Sequence, residues 1–135
     1  MATDNLGTSA TIASFPAGAD LSGSQYKFVE LGSGGTVTVC NAATDKPIGI
    51  LQNAPTSGQM ASVLVAGLSK VQADAALTVG TEIGTSADGQ ADPKVRGTDV
   101  TEFIVGIVTG AVSNAGELAT VLINCVSITG AVTGN

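Results

Sequence analysis

Short runs in which hydrophobic and polar residues alternate recur along most of the chain. A period of two is typical of a half-buried β-strand, because successive side chains point to opposite faces. The first run is YKFVEL (26–31), in which Tyr26, Phe28 and Glu30 share one face. A Gly/Ser turn separates it from TVTVC (36–40). These two runs predict neighbouring strands joined by a tight turn.

Five further runs are rich in Val, Ile, Thr or Leu and are bounded by Gly, Pro, Asn or Asp. They are IGILQN (48–53), QMASVLVAGLSKVQ (59–72), LTVGTEIG (77–84), TEFIVGIVTG (101–110) and ELATVLINCVSI (117–128). Seven or eight short strands at this spacing predict an all-β fold, a small β-barrel or sandwich. The one helical candidate, around 73–76, is short and close to glycines, so a strand and turn fit it equally well.

Two of these regions repeat each other. GIL (49–51) matches GIV (106–108), and GQMASVLV (58–65) matches GELATVLI (116–123) with conservative exchanges. Each pair describes a strand, a polar turn and a returning strand that opens on a glycine, which is a β-hairpin. We predict two related hairpins that close the small barrel with internal pseudo-symmetry.

The first 20 residues show no such period. They are rich in Ala, Gly, Ser and Thr, and Phe15-Pro16 is their only bulky feature. We expect residues 1–20 to form an extended N-terminal arm without a core of its own. Residues 21–135 are expected to form a single β-barrel domain, since a chain of 135 residues fits one compact domain.

The composition removes several classes of function. The chain has no His and no Trp, one Tyr and three Phe. Imidazole-based zinc sites and Ser-His-Asp triads are excluded because their central residue is absent. Stacking platforms for single-stranded nucleic acid need more aromatic side chains than this chain has.

Charge removes further partners. Five Lys and Arg face 11 Asp and Glu, for a net charge of −6, so phosphate backbones and anionic lipid surfaces would repel the chain. We therefore expect no nucleic-acid or membrane partner. Only 12% of residues are charged, against about 25% in an average soluble protein. So few charges indicate a surface that rests on other subunits, and a monomer with a Ser/Thr surface is the alternative.

Localisation and cysteine chemistry follow from two further features. The N-terminal sequence lacks the basic and apolar regions of a secretion signal, so we expect the chain to be made and kept in a cytoplasm. Cys40 and Cys125 lie in apolar strand-like runs. In a reducing compartment we expect both to be small buried hydrophobes, and a disulfide between them stays open at this stage.

No set of side chains predicts a reaction, a cofactor or a bound metal. Asp88 and Asp92 flank a glycine-rich segment, but the aromatics that line sugar clefts are scarce and ADGQ reads as an Asp-Gly turn. Ser69 and Lys70 are adjacent in a predicted strand and so point to opposite faces. Calcium-loop spacing and phosphate-binding glycine loops are absent from the sequence. We therefore predict no catalytic, cofactor-binding or metal-binding residue.

An ordered set of segments resembles a known family. The segments are ADLSGSQYKFVEL (19–31), TDKPIGILQNAPTSGQMASVLVAGLSKV (44–71), TVGTEIGTSADGQA (78–91) and VGIVTGAVSNAGELATVLI (105–123). Together they resemble the small capsid decoration, or cement, proteins of tailed bacteriophages. The resemblance spans roughly residues 19 to 128, and it lies in the order of the segments rather than in any single motif.

The resemblance implies a structural role. Proteins of this family bind the outside of an expanded icosahedral shell, often as homotrimers, and staple neighbouring major capsid subunits together. They are not enzymes and use no cofactor. The resemblance therefore implies the major capsid protein as partner, self-association on the shell, and a place on the outer capsid surface of a virion assembled in the host cytoplasm.

A family-style arm would make the main capsid contact through residues 8–26. Its bulky residues are the anchors that we predict, because the rest of the arm is built of small side chains. These anchors are Phe15, Pro16, Leu21 and Tyr26. Packing in the core is the alternative role for Phe15, Tyr26 and Phe28.

Two alternatives belong to other functional classes. One is a bacterial β-sandwich surface or adhesion module, which would need an export signal or an adjoining domain. The other is a small enzyme with a carboxylate site near Asp88, Asp92 and Asp99. That enzyme would show a deep pocket with converging acids and raised carboxyl pKa values.

Overall fold

The structure, a computed structural model, describes residues 10–126 and 129–130. This part of the chain contains β-strands and no helix, which confirms the predicted all-β class. The strands are β1 (Thr11–Pro16), β2 (Phe28–Leu31), β3 (Val37–Val39), β4 (Gly49–Leu51), β5 (Met60–Gln72), β6 (Glu82–Thr85), β7 (Ala91–Pro93), β8 (Phe103–Ile104), β9 (Gly106–Gly110), β10 (Leu118–Asn124) and β11 (Thr129–Gly130).

Nine of these strands form one antiparallel sheet that curls into a half-barrel. The order is β3-β2-β4-β5-β10-β9-β6-β7, and β1 also pairs with β5, whereas β8 and β11 form a separate pair. The two predicted hairpins, β4–β5 and β9–β10, lie side by side because β5 pairs with β10. The predicted barrel-like fold with two related hairpins is therefore confirmed.

The repeat extends well beyond the hairpins. Ala17 forms a parallel bridge with Val37, and Ala73 forms the matching bridge with Ala91. The N–H of the next residue, Gly18 or Asp74, donates over 2.8 Å to the carbonyl of the bridge partner, Val37 or Ala91. We call residues 10–66 unit 1 and residues 67–124 unit 2. In this correspondence β2, β3 and β4 match β6, β7 and β9, the first half of β5 matches β10, and β1 matches the second half of β5.

The registers of the hairpins match residue for residue. Ile50 pairs with Leu64 in unit 1, and Ile107 pairs with Leu122 in unit 2. The turns match as well, since the N–H of Thr56 donates to Gln59 Oε1 over 2.8 Å and the N–H of Asn114 to Glu117 Oε1 over 2.9 Å. The units are thus two copies of one folding pattern.

The core has two parts. The unit 1 core comes from unit 1 alone and consists of Ala17, Leu21, Val29, Val37, Leu51, Ala61 and Val63. The second part, which we call the shared core, contains the matching residues of unit 2, such as Leu77, Ile83 and Val121. It also contains Phe28 and Leu64 from the opposite face of unit 1. Unit 1 therefore packs its outer face on the inner face of unit 2.

Much of the predicted N-terminal arm lies in the sheet. β1 runs antiparallel to β5, from Ile12 opposite Leu64 to Pro16 opposite Met60. Ala17 directly after it is buried in the unit 1 core. Residues 1–9 of the predicted arm lie outside the described residues. At the helical candidate 73–76, the chain forms a β-bridge at Ala73 followed by a bend.

Candidate functional site

A cavity of about 410 Å³ lies where the turn before β2 meets the end of β5 and the start of β10. Its wall is formed by Ser22, Gln25, Tyr26, Gln72 and Leu118, and by Gly23 and Gly116. The cavity therefore lies at the junction of unit 1 and unit 2. It is lined by neutral side chains, and no Asp, Glu, Lys or Arg contributes to its wall.

Tyr26 holds an unusual backbone conformation at this cavity. Its φ is 67°, and it is the one residue other than glycine with a positive φ in the described part of the chain. The N–H of Lys27 donates to Ser24 O over 3.1 Å, so Tyr26 is the third residue of a tight turn. A positive φ at that position is typical of a type II turn and favours glycine. An L side chain there costs about 1–2 kcal/mol.

Unit 2 has the residue that this turn favours. There the N–H of Thr81 donates to Thr78 O over 3.2 Å, and the third residue is Gly80 with a φ of 92°. The N–H groups of both third residues donate to β-strand carbonyls, Tyr26 to Leu51 O over 2.8 Å and Gly80 to Val108 O over 2.9 Å. The two turns are equivalent, and unit 1 alone places an aromatic ring at this point.

Glutamine side chains fix the rest of the cavity wall. Gln25 Nε2 donates to Gln52 O over 2.9 Å, and Gln72 Nε2 donates to Gln25 O over 3.4 Å. Gln72 Oε1 accepts a bond of 3.2 Å from Gln90 Nε2. A carboxamide has two N–H donors and two acceptor lone pairs, so both lining amides are held in place and retain capacity for further hydrogen bonds.

The four predicted anchors have different environments. Leu21 is 2% exposed and belongs to the unit 1 core, against which half-buried Phe15 also packs. Pro16 is exposed at the end of β1. Tyr26 is half-buried at the cavity. Of the four, Pro16 and Tyr26 present side chains that a partner can reach without opening the unit 1 core.

Two of the three carboxylates of the alternative enzyme site have separate partners. Asp92 forms an ion pair of 3.2 Å with Lys94, and Asp99 accepts a 2.6 Å bond from the N–H of Val95. Asp88 is exposed on a turn that is closed by a hydrogen bond of 3.2 Å from Gly89 N–H to Ser86 O. None of the three lines the 410 Å³ cavity. In the described residues we also find no group of three or more His, Cys, Asp or Glu that could hold a metal ion.

Lys94 is a buried cation on the outer face of unit 2. Its side chain has no exposed surface, and its ammonium group contacts both Asp92 and Glu102. It occupies the place of Cys40 in unit 1, since the N–H of Cys40 bonds to Phe28 O and that of Lys94 to Glu82 O. A buried ammonium needs such partners because desolvation of an unpaired charge is costly. Its partners give Lys94 a structural role here.

Both cysteines are free and buried. Burial raises the pKa of each thiol to about 12, and for Cys40 a hydrogen bond with Thr85 partly opposes this effect. The thiolate is the nucleophilic form, so both residues are inert near neutral pH. The expectation of two small buried hydrophobes agrees with this arrangement.

Within the described residues we find no helix with the length and apolar character that a membrane crossing requires.

An apolar stripe is exposed on the outer face of unit 2. It consists of Leu68, Leu122 and Ile107 on adjoining strands, which are 43%, 48% and 38% exposed. Leu64 and Ile50, the unit 1 counterparts of Leu122 and Ile107, are buried in the shared core. We call these three residues the unit 2 stripe. Leu122 and Ile107 thus hold the positions through which unit 1 packs on unit 2.

Comparisons with solved structures found a likeness in fold. No protein-family model matches the chain, and no curated protein matches it. The fold is similar to that of the head fiber gp8.5 N base of bacteriophage phi29, with a TM-score of 0.65. The alignment covers 85% of this chain and 96% of that chain at 21% sequence identity. At this identity the likeness shows a shared fold.

Proposed function

We propose that the chain is a structural protein of a phage head, which binds the outer surface of the shell and joins neighbouring major capsid subunits. The observation that carries this proposal is the likeness in fold to a head fiber base from bacteriophage phi29. That likeness covers most of both chains, so it concerns the whole folding pattern and not a common hairpin. The ordered segments that resemble phage decoration proteins point in the same direction.

The physical character of the molecule supports a binding role. Its sheet holds side chains in fixed positions, and 12% charged residues leave few groups to desolvate at an interface. The exposed unit 2 stripe offers apolar area of the kind found at the centre of interfaces. We assign this stripe to contacts between copies, which form a homotrimer on the shell.

The capsid contact is assigned to residues 8–26. In this segment Pro16 is exposed, Tyr26 is half-buried at the cavity and Phe15 is half-buried at the edge of the unit 1 core. The side chain of Leu21 is enclosed by the unit 1 core, so a partner reaches it only if this segment moves. Multiple copies in a fixed lattice would compensate for a small contact area per copy.

The test is binding to expanded, undecorated shells of the phage that encodes the chain. We expect the full chain to sediment with these shells at a fixed number of copies per shell. A Pro16→Ser variant is appropriate, since Pro16 is an exposed predicted anchor, whereas a deletion through residue 20 would remove β1 and Ala17 from the folded core. We expect this variant to keep its melting temperature and lose most of its occupancy.

The two possible failures have different meanings. If the full chain does not bind shells, the proposed function is wrong. If the full chain binds and the Pro16→Ser variant binds equally well, only the assignment of the capsid contact to the N-terminal segment through Pro16 is wrong. A Leu122→Ser variant tests the stripe separately, because we expect it to bind shells with fewer copies clustered as trimers.

A further inference from the structure

Tyr26 stands in a turn position that the protein itself fills with glycine elsewhere. Gly80 forms the same turn in unit 2 and makes the equivalent backbone bond. The ring of Tyr26 is half-buried and belongs to neither part of the core. The aromatic side chain is therefore not explained by the turn or by core packing. The feature that it does serve is the 410 Å³ cavity, which it lines. Residues held in strained conformations concentrate at binding sites.

The chemistry of the wall defines the class of ligand. Tyr26 offers an aromatic face, and Leu118, which is 43% exposed, adds apolar surface. Gln25 and Gln72 offer carboxamides, which both donate and accept hydrogen bonds, and Ser22 offers a hydroxyl. An ionic ligand would meet no opposite charge in this wall. A purely apolar ligand would cover the remaining hydrogen-bonding capacity of the two amides without using it, which is costly.

We propose that this cavity binds a neutral pyranose sugar, as a single residue or as one unit of a glycan. A pyranose has an apolar C–H face that stacks on an aromatic ring and equatorial hydroxyls that match carboxamides. The ring would lie on Tyr26, with its hydroxyls directed to Gln25 and Gln72. A cavity of 410 Å³ falls within the range of about 300–1,000 Å³ that small-molecule sites occupy.

The site occurs once in the described chain. The turn of unit 2 carries Val79 and Gly80 where unit 1 carries Gln25 and Tyr26, so both the amide and the ring are missing there. The proposal thus predicts one sugar per chain. It does not depend on the proposed capsid function, because the cavity is complete within a single chain.

The test is a titration of the isotope-labelled full chain, followed by backbone and side-chain amide NMR. The probes are the methyl glycosides of glucose, galactose, mannose and N-acetylglucosamine. We expect at least one probe to shift the amide signals of Gln25, Tyr26 and Gln72, with a dissociation constant on the order of 1 mM. Signals of Val79 and Gly80 in the equivalent turn serve as the internal control and should not move.

Two variants separate binding from folding. Tyr26→Gly reproduces the residue of unit 2, so we expect an equal or higher melting temperature and a loss of affinity of about tenfold or more. Tyr26→Phe keeps the stacking face and should bind within about threefold of the original chain. Gln25→Ala, at an exposed position, provides a second loss-of-binding variant that leaves the turn intact.

Two results would overturn the proposal. The first is the absence of any localised shift with all four glycosides. The second is undiminished binding by a folded Tyr26→Gly variant together with undiminished binding by Gln25→Ala. Either result is independent of whether the chain attaches to shells, so this proposal and the capsid function fail or survive separately.

Discussion

At the scale of single residues, a comparison of the two units shows which equivalent positions keep the same environment and which do not. Leu21 and Leu77 occupy equivalent buried places, because the N–H of each donates to the carbonyl of a matching hairpin turn, Pro55 or Val112. Phe28 is buried between the units, whereas its counterpart Glu82 is half-buried and pairs with Arg96. The departures thus lie where the surroundings of the two units differ.

Glu30 provides a prediction at this scale. Burial, followed by the charge of Asp45, raises its pKa above the model-compound value of 4.5. The folded protein therefore holds this proton more tightly than the unfolded chain, so its contribution to stability falls as the pH rises through and above 4.5. We expect Glu30→Gln to stabilise the protein at pH 7 by less than about 1 kcal/mol, since the group is partly exposed.

The measurement is the difference in melting temperature between the variant and the original chain at pH 7 and at pH 3.5. The stabilisation should shrink or vanish at the lower pH, where the carboxyl of the original chain is protonated in both states. Hydrogen bonds from Ser22 lower the pKa of Asp20, so Asp20→Asn is the matched control and should show the opposite trend. A Glu30→Gln variant that is less stable at pH 7 than at pH 3.5, relative to the original chain, contradicts the assignment.

At the scale of elements, close contact between strands depends on two equivalent glycines. A Cβ atom on Gly49 would come closer than 3.0 Å to the carbonyl oxygen of Leu64, and one on Gly106 equally close to that of Leu122. Backbone cannot yield as a flexible side chain can. The glycines that open β4 and β9 are therefore required by the packing of each hairpin.

We accordingly expect Gly49→Ala and Gly106→Ala each to destabilise the fold by about 1–3 kcal/mol, the usual cost of an overpacked core. Chemical denaturation with a common slope measures both. Gly34→Ala is the control, because a Cβ there would meet nothing within 4 Å, and its midpoint should stay close to that of the original chain. An alanine at position 49 that costs no more than one at position 34 would refute the argument.

Most elements are predictable from alternation, and the exceptions have physical reasons. β4, β5, β9 and β10 follow the expected runs, since each has a buried face with a period of two or is buried on both faces. β1 has small residues and carries no pattern of its own, and it becomes a strand because β5 offers it a pairing edge. β7 contains Pro93, which argues against a strand in sequence but is tolerated at the edge of a sheet.

The cavity was not predictable in the same way. In unit 2 the turn has the sequence TVGT, in which the glycine indicates a positive φ. In unit 1 the same turn is written SQYK, which carries no such signal. The two sequences become comparable only through their hydrogen bonds, because the hairpin repeat visible in the sequence begins more than 20 residues later. The sequence marks Tyr26 by its size and gives no sign of its backbone conformation.

At the scale of the whole molecule, the unequal composition of the core determines how the protein unfolds. The unit 1 core is complete within unit 1, whereas the shared core needs Phe28, Ile50 and Leu64 from unit 1 as well as the residues of unit 2. β5 also runs through both units without interruption. We therefore expect a single cooperative transition rather than separate unfolding of the two halves.

Leu51 and Leu77 make a matched pair for this prediction, since each is fully buried, one in the unit 1 core and one in the shared core. Each substitution by Ala should cost about 2–5 kcal/mol and leave the denaturant slope unchanged. Circular dichroism and the fluorescence of the lone tyrosine, Tyr26, should report the same midpoint in each variant. A biphasic curve for Leu77→Ala with an early loss of only part of the signal would show that the halves unfold independently.

The continuity of β5 connects the two units in a way that further units could repeat. β5 ends unit 1 and begins unit 2, and unit 1 packs its outer face on unit 2. The same connection and the same packing could be repeated after β10, which would lengthen the protein by one unit at a time. At the outer face of unit 2, Glu82 and Lys94 take the places that Phe28 and Cys40 hold at the outer face of unit 1. At these two positions the outer face of unit 2 is ionic, so a third unit that packed there would have to cover the ion pairs of Glu82 and Lys94.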